Sequence, residues 1–153
     1  MKLFILAIAI AAIASLAGCS KSGPCNVHYF QVGIKYLDDP TKAVLDWRDT
    51  AFEIAVTDPT LLLSIYEDLK QPIANRHHIF GEITRGSGGY NHNAGFWFNW
   101  HYKESTIELV GPIAEAFDGL PYTDVDLNPV YWIDTLGAYG SWGSYISKEL
   151  RRP

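Results

Sequence analysis

Ala51-Phe52-Glu53-Ile54-Ala55-Val56-Thr57-Asp58-Pro59 is the stretch that decides the fold. Phe52, Ile54 and Val56 share one face of an extended chain and Glu53 lies on the other, the alternation of a half-buried strand. The pattern stops at Thr57. Asp58 can accept a hydrogen bond from an orphan helical N–H, and Pro59 suits the first helical position, where its missing donor costs nothing. Leu61, Leu62, Ile65 and Leu69 then recur at helical spacing until Gln71-Pro72 ends the run. A strand therefore feeds directly into a helix over about residues 59–70.

On the N-terminal side, apolar and polar residues partly alternate from Val27 to Leu37, and Asp38-Asp39-Pro40 marks a turn. On the C-terminal side, His77 to Arg85 reads as a strand. Residues Gly86 to Gly95 are rich in glycine and asparagine around Tyr90 and read as a loop. Phe96 to Tyr102 reads as the next strand, with Phe96, Phe98, Trp100 and Tyr102 on one face and Trp97, Asn99 and His101 on the other. Thr106 to Phe117 predicts short strands interrupted at Gly111-Pro112. Tyr122 to Thr135 predicts a short helix broken by Pro129, and Ser141 to Leu150 a last strand carrying Trp142, Tyr145 and Ile146. Strands that do not alternate with helices predict an α+β fold. Its core is an antiparallel β-sheet of about 4–6 strands, with the main helix and a second short helix on one face.

The first residues carry a different message. Lys2 precedes an apolar run from Leu3 to Leu16, and Leu16-Ala17-Gly18-Cys19 follows. This is the pattern of a secretory signal peptide, and the apolar run falls short of the ~20 residues a spanning helix needs. The cysteine after Ala17-Gly18 resembles a bacterial lipobox. That resemblance implies a lipoprotein signal peptide over 1–18, and lipidation (diacylglyceryl and palmitate-type acyl chains) of Cys19. A tether over 19–26 would join the lipid to a single α+β domain over 27–153. Ser20, rather than Asp, after the cysteine resembles lipoproteins sent on to the outer membrane. The expected place is thus the bacterial cell envelope, with the membrane as partner through the lipid anchor.

Composition bounds the partners. Removal of 1–18 leaves about 135 residues, enough for one domain with a real core. The chain has a net charge of −5, and loss of Lys2 makes it more acidic still. That balance excludes a nucleic-acid footprint and electrostatic adhesion to anionic lipid. Of the two cysteines, only Cys25 stays free once Cys19 is lipidated, so no internal disulfide is expected.

Between about residues 50 and 150 an ordered set of motifs resembles a known family. It comprises 52–59, His78-Ile79-x-Gly81-x-Ile83, Gly89-Tyr90-Asn91, Trp100-His101 and Ser105-Thr106-Ile107. Ile113-Ala114-Glu115, Asp118-Gly119-x-Pro121 and Trp142-Gly143-Ser144 complete it. These resemble the calmodulin-binding protein N-terminal domain family, small secreted bacterial domains named after a calmodulin-binding protein of about seventy-four kilodaltons. The family's Glu-Val-Cys-Asp-like and Trp-Cys-Pro-Trp-like segments supply two cysteines. Here those places fall near Phe117 and Gly140, and both cysteines are absent together. The loop after Tyr90-Asn91 is longer here than the family's short step to tryptophan.

No catalytic signature stands out. His77, His78, His92 and His101 fall on two strands and their connecting loop. If the strands pair as a hairpin, His78 and His101 approach one another, and His92 could complete a zinc site. No spacing matches a zinc signature, and backbone-bonded strand histidines are the commoner outcome. Glu53, Glu82, Glu108 and Glu115 could pair as acid and base, but acidic residues usually sit on a solvated sheet face. Ser141 and Ser144 form no Gly-x-Ser-x-Gly elbow. Asp124, Asp126 and Asn128 lack the glycine and glutamate of a calcium loop. No cofactor and no metal are expected.

Five tryptophans, nine tyrosines and seven phenylalanines are more than a small core obviously needs. They point either to a packed aromatic core or to an exposed aromatic patch for a protein or glycan. The reading is a lipid-anchored binding or inhibitory module recognising an envelope protein or glycan. Tyr90, Asn91, His92, Trp100, His101 and Trp142 are the candidate binding residues. The alternative is a small envelope hydrolase using strand His and Glu residues, and a pocket joining His78, His101 and Glu82 would favour it.

Overall fold

A computed structural model describes residues 26–35, 46–111, 119–141 and 143–152. The signal-peptide and tether segments, Cys19, Cys25, the Asp38-Asp39-Pro40 turn, residues 112–118 and Trp142 lie outside the described residues.

The decisive stretch folds as read. Strand β2 (Ala51–Val56) follows β1 (His28–Ile34) and runs antiparallel to it, with Phe30 opposite Ile54 and Val32 opposite Phe52. Helix α1 (Pro59–Leu69) starts where Asp58 accepts the Leu61 amide at 2.7 Å, and Pro59 opens its first turn. Its inward face carries buried Ile65, flanked by half-buried Leu61, Leu62, Tyr66 and Leu69. One detail differs from a half-buried strand: every residue of β2 is buried, Glu53 included.

Strand β3 (His78–Arg85) organises a second sheet. Three short strands pair antiparallel with it: β6 (Trp100–Tyr102), β7 (Glu108–Val110) and β8 (Ala138–Gly140). Phe80 pairs with Glu108 on one edge and Gly140 on the other. A small hairpin joins β4 (His92–Asn93) to β5 (Phe96–Trp97). The last strand, β9 (Ser144–Leu150), pairs antiparallel with β1 and completes the sheet β2-β1-β9. The result is a mixed, mainly β fold with short helices.

Several boundaries correct the sequence reading. Phe96 to Tyr102 is two strands, broken at Phe98-Asn99 because Asp126 takes the Asn99 amide at 2.6 Å. The last strand starts at Ser144, and Ala138–Gly140 is a separate strand. The sheet of 4–6 strands resolves into sheets of three, four and two strands. The helical segment near Pro129 is two π-helical pieces, Pro121–Asp126 and Val130–Leu136. Buried Asp49 caps the first by accepting the amides of Tyr122 and Thr123 at 2.7 and 2.9 Å.

The aromatic surplus is mostly core. Phe52 packs against Trp100, Tyr102 and Tyr139 with ring centroids 5.4, 6.1 and 6.0 Å apart. Each polar tip finds a backbone carbonyl: Trp100 Nε1 donates to Pro121 O, Tyr102 Oη to Tyr139 O and Tyr139 Oη to Gly119 O. Burying one such ring is worth about 2–3 kcal/mol, and satisfied tips let large aromatics fill the interior without orphaned polar groups.

Candidate functional site

The loop singled out from its composition is anchored by its own side chains. Asn91 is fully buried between the two sheets. Its Oδ1 accepts the Glu53 amide of β2 at 2.9 Å, and its Nδ2 donates to Trp100 O of β6 at 2.9 Å. Tyr90 is buried too. Its hydroxyl donates to Tyr102 O at 3.2 Å, and burial, reinforced by the Glu104 charge, pushes its pKa up. His101 lies opposite Thr84 and its Nδ1 is 2.6 Å from Gly86 O, so it does support the loop. The loop needs glycine at 88, where φ is +63° and a Cβ would come within 2.9 Å of the Tyr90 and His101 rings.

Tyr90, Asn91 and Trp100 therefore do not offer their side chains to solvent, contrary to the surface suggested by sequence. The reason is that Trp100 belongs to the buried row of its strand, and Tyr90 and Asn91 carry the hydrogen bonds that join loop to sheet. Trp142 lies outside the described residues.

What the loop does present is the β4–β5 hairpin. Its turn residues Ala94 and Gly95 have φ +44° and +92°, left-handed geometry that is strained for Ala94. His92 and Trp97 are cross-strand partners and so share one face, with ring centroids 4.8 Å apart. Trp97 is 52 % exposed. Phe96 and Asn93 take the opposite face, where Phe96 meets Trp47 and Asn93 Nδ2 donates to Trp47 O at 3.0 Å.

Beneath Trp97 lies a charged cluster that the sequence did not reveal as a unit. Glu53, 6 % exposed, holds His92 Nε2 3.4 Å from Oε1 and takes Arg152 on Oε2. Arg152 also donates to Tyr90 O at 3.0 Å and lies over the Tyr29 ring, 4.3 Å from its centroid. Burial pushes the Glu53 carboxyl up from its usual range, against the opposing pull of His92 and Arg152. The only signal for this in the sequence is an acidic residue in a strand whose other side chains are all apolar. Its partners are 39 and about a hundred positions away and are found only by folding.

The hydrolase arrangement expected from sequence does not form. His78 pairs with Val110 and His101 with Thr84, so they sit at opposite ends of β3, about 20 Å apart along the strand. Glu82 pairs instead with Lys103 at 2.8 Å. His78 Nδ1 meets Ser144 O at 3.0 Å and His77 meets Asp68 at 2.7 Å. Among the described residues no group of three or more His, Cys, Asp or Glu side chains is placed to hold a metal ion.

Compared with known protein families, residues 38–153 match the N-terminal domain of the seventy-four-kilodalton calmodulin-binding protein. No curated protein and no solved structure gives a match. The chain belongs to that N-terminal domain family, the one its ordered motifs resemble.

Proposed function

We propose that this member of the calmodulin-binding protein N-terminal domain family is a lipid-anchored binding module of the cell envelope. The hairpin face around Trp97 is its contact surface for a protein or glycan. The observation that carries the reading is the half-exposed Trp97 ring on a hairpin fixed from below. Exposed tryptophan on a rigid element is the residue type that dominates binding energy, because it adds large area at little entropic cost. Tyr90 and Asn91 serve as the anchor of that surface, and His92 and Arg152 flank it with hydrogen-bonding groups. The anchor to the membrane is the acylated Cys19.

Two measurements test this. Full chain immobilised through its lipid should retain a specific envelope protein or glycan, and Trp97→Ala should weaken that interaction at least about tenfold while the unfolding midpoint stays close to wild type. Equal affinity of the two proteins would remove this face as the site. Cys19→Ser should lose palmitate incorporation and membrane fractionation, and retention of both would remove the anchor.

A further inference from the structure

Away from the Trp97 face, α1 and β7 flank a surface cavity of about 710 Å³. This is within the range that small-molecule sites occupy. Leu63 and Leu109 give it apolar walls, while Glu67, Gln71, Asn75 and His77 bring polar groups to it. The sequence groups these residues only in part. Leu63, Glu67 and Gln71 are spaced along one helix, and the remainder come from the following turn and a distant strand.

His77 is held by Asp68. The aspartate Oδ1 meets His77 Nδ1 at 2.7 Å and accepts the His77 backbone amide at 3.1 Å. The ring is thereby fixed in orientation, and its Nδ1 is engaged. Asp68 is only 4 % exposed, whereas about half of the His77 side chain is open to solvent. Asp68 Oδ2 is buried and has no hydrogen-bond partner among the described residues. A carboxylate left half-satisfied in the interior costs stability, so packing alone does not account for it. Sites where a buried acid orients a half-exposed imidazole beside a cavity are built for proton transfer.

We infer that this cavity is a general-base hydrolytic site for neutral carboxylic esters with a small apolar acyl group. His77 is its base and Asp68 its positioning residue. The acyl chain lies between Leu63 and Leu109. Glu67 at the rim disfavours anionic substrates, although Lys70 pairs with it at 2.6 Å. Ser64 also lines the cavity, but its hydroxyl donates to Thr60 O at 3.1 Å, so water is the nucleophile. His77 Nε2 takes a proton from water as the water oxygen bonds to the carbonyl carbon, and the C=O π electrons move to oxygen. The side-chain amides of Gln71 and Asn75 are the donors available to that oxyanion. Collapse re-forms C=O and breaks the C–O bond to the alcohol, which receives the proton from His77. The products are the carboxylic acid and the alcohol, with no other reagent consumed.

The test uses the full chain in detergent micelles with p-nitrophenyl butyrate. Wild type should hydrolyse it catalytically, and His77→Ala should be slower by at least about 100-fold, the usual contribution of a positioned base. Added imidazole should restore part of the His77→Ala rate. Asp68→Asn should lower kcat more than it changes KM and displace the pH–rate profile, which a purely structural role would not do. Leu109→Trp keeps the dyad but fills the cavity, and should lower kcat/KM in a protein of native circular dichroism. Hydrolysis by wild type at the rate of His77→Ala would overturn the inference. Undiminished activity in folded Leu109→Trp would overturn it as well, even if neither dyad variant folds.

Discussion

The Asn91 carboxamide oxygen accepts the Glu53 backbone amide at 2.9 Å, and this bond ties the β4–β5 hairpin to the buried centre of the β2-β1-β9 sheet. Because the same side chain donates to Trp100 O, one residue holds two sheets and a loop in register. Asn91→Leu should therefore leave a buried donor and a buried acceptor unpaired. The expected loss is about 2–4 kcal/mol of unfolding free energy, measured by urea denaturation. A loss below about half a kcal/mol would show that water replaces both bonds.

The Glu53–Arg152 pair is expected to behave as a coupled unit. Arg152→Met strands a buried carboxylate and should cost about 2–3 kcal/mol, less than a fully buried pair because Arg152 is partly exposed. Glu53→Gln in the same chain should recover part of that loss, since the neutral amide no longer needs a cation. A double-mutant cycle from denaturation midpoints measures the coupling, and strict additivity would mean that the two side chains act independently.

Ala94 offers a stabilising change. Its φ of +44° is costly for a residue with a Cβ and free for glycine. Ala94→Gly should raise stability by about 0.5–1 kcal/mol, the relief of strain being partly offset by the larger freedom of glycine in the unfolded chain. The thermal midpoint reports it. A fall in midpoint would mean that the Ala94 methyl group makes a contact that outweighs the strain.

His78 sets a pH dependence. Burial lowers its pKa below the ordinary 6.5, outweighing the hydrogen bond to Ser144 O that pulls the other way. In the window between the folded pKa and 6.5 the unfolded chain binds more protons than the folded one, so stability falls as pH falls below 6.5. His78→Gln should reduce the loss of denaturation midpoint between pH 7.5 and pH 5.5, about one unit either side of that value. Parallel curves for the two proteins would remove His78 as the source.

Strand β2, the Asp58-Pro59 helix start and the alternating row Phe98-Trp100-Tyr102 were determined by the sequence alone, because each rests on interactions within a few residues. The support of the loop by His101 was also legible, since it follows from strand alternation. Which aromatics face solvent was not. Periodicity assigns Trp97 and Trp100 to opposite faces, but only the packing of Phe52, Tyr139 and Pro121 around Trp100 shows which face is interior. The two charged clusters were decided by tertiary structure entirely. Glu53 meets His92 and Arg152, and Asp68 meets His77, through chain reversals whose geometry depends on how the sheets and α1 close on one core. Local propensity carries no record of those distances. A buried charge is settled by whichever partner folding brings within a few ångströms, since desolvation and pairing act through space rather than along the chain.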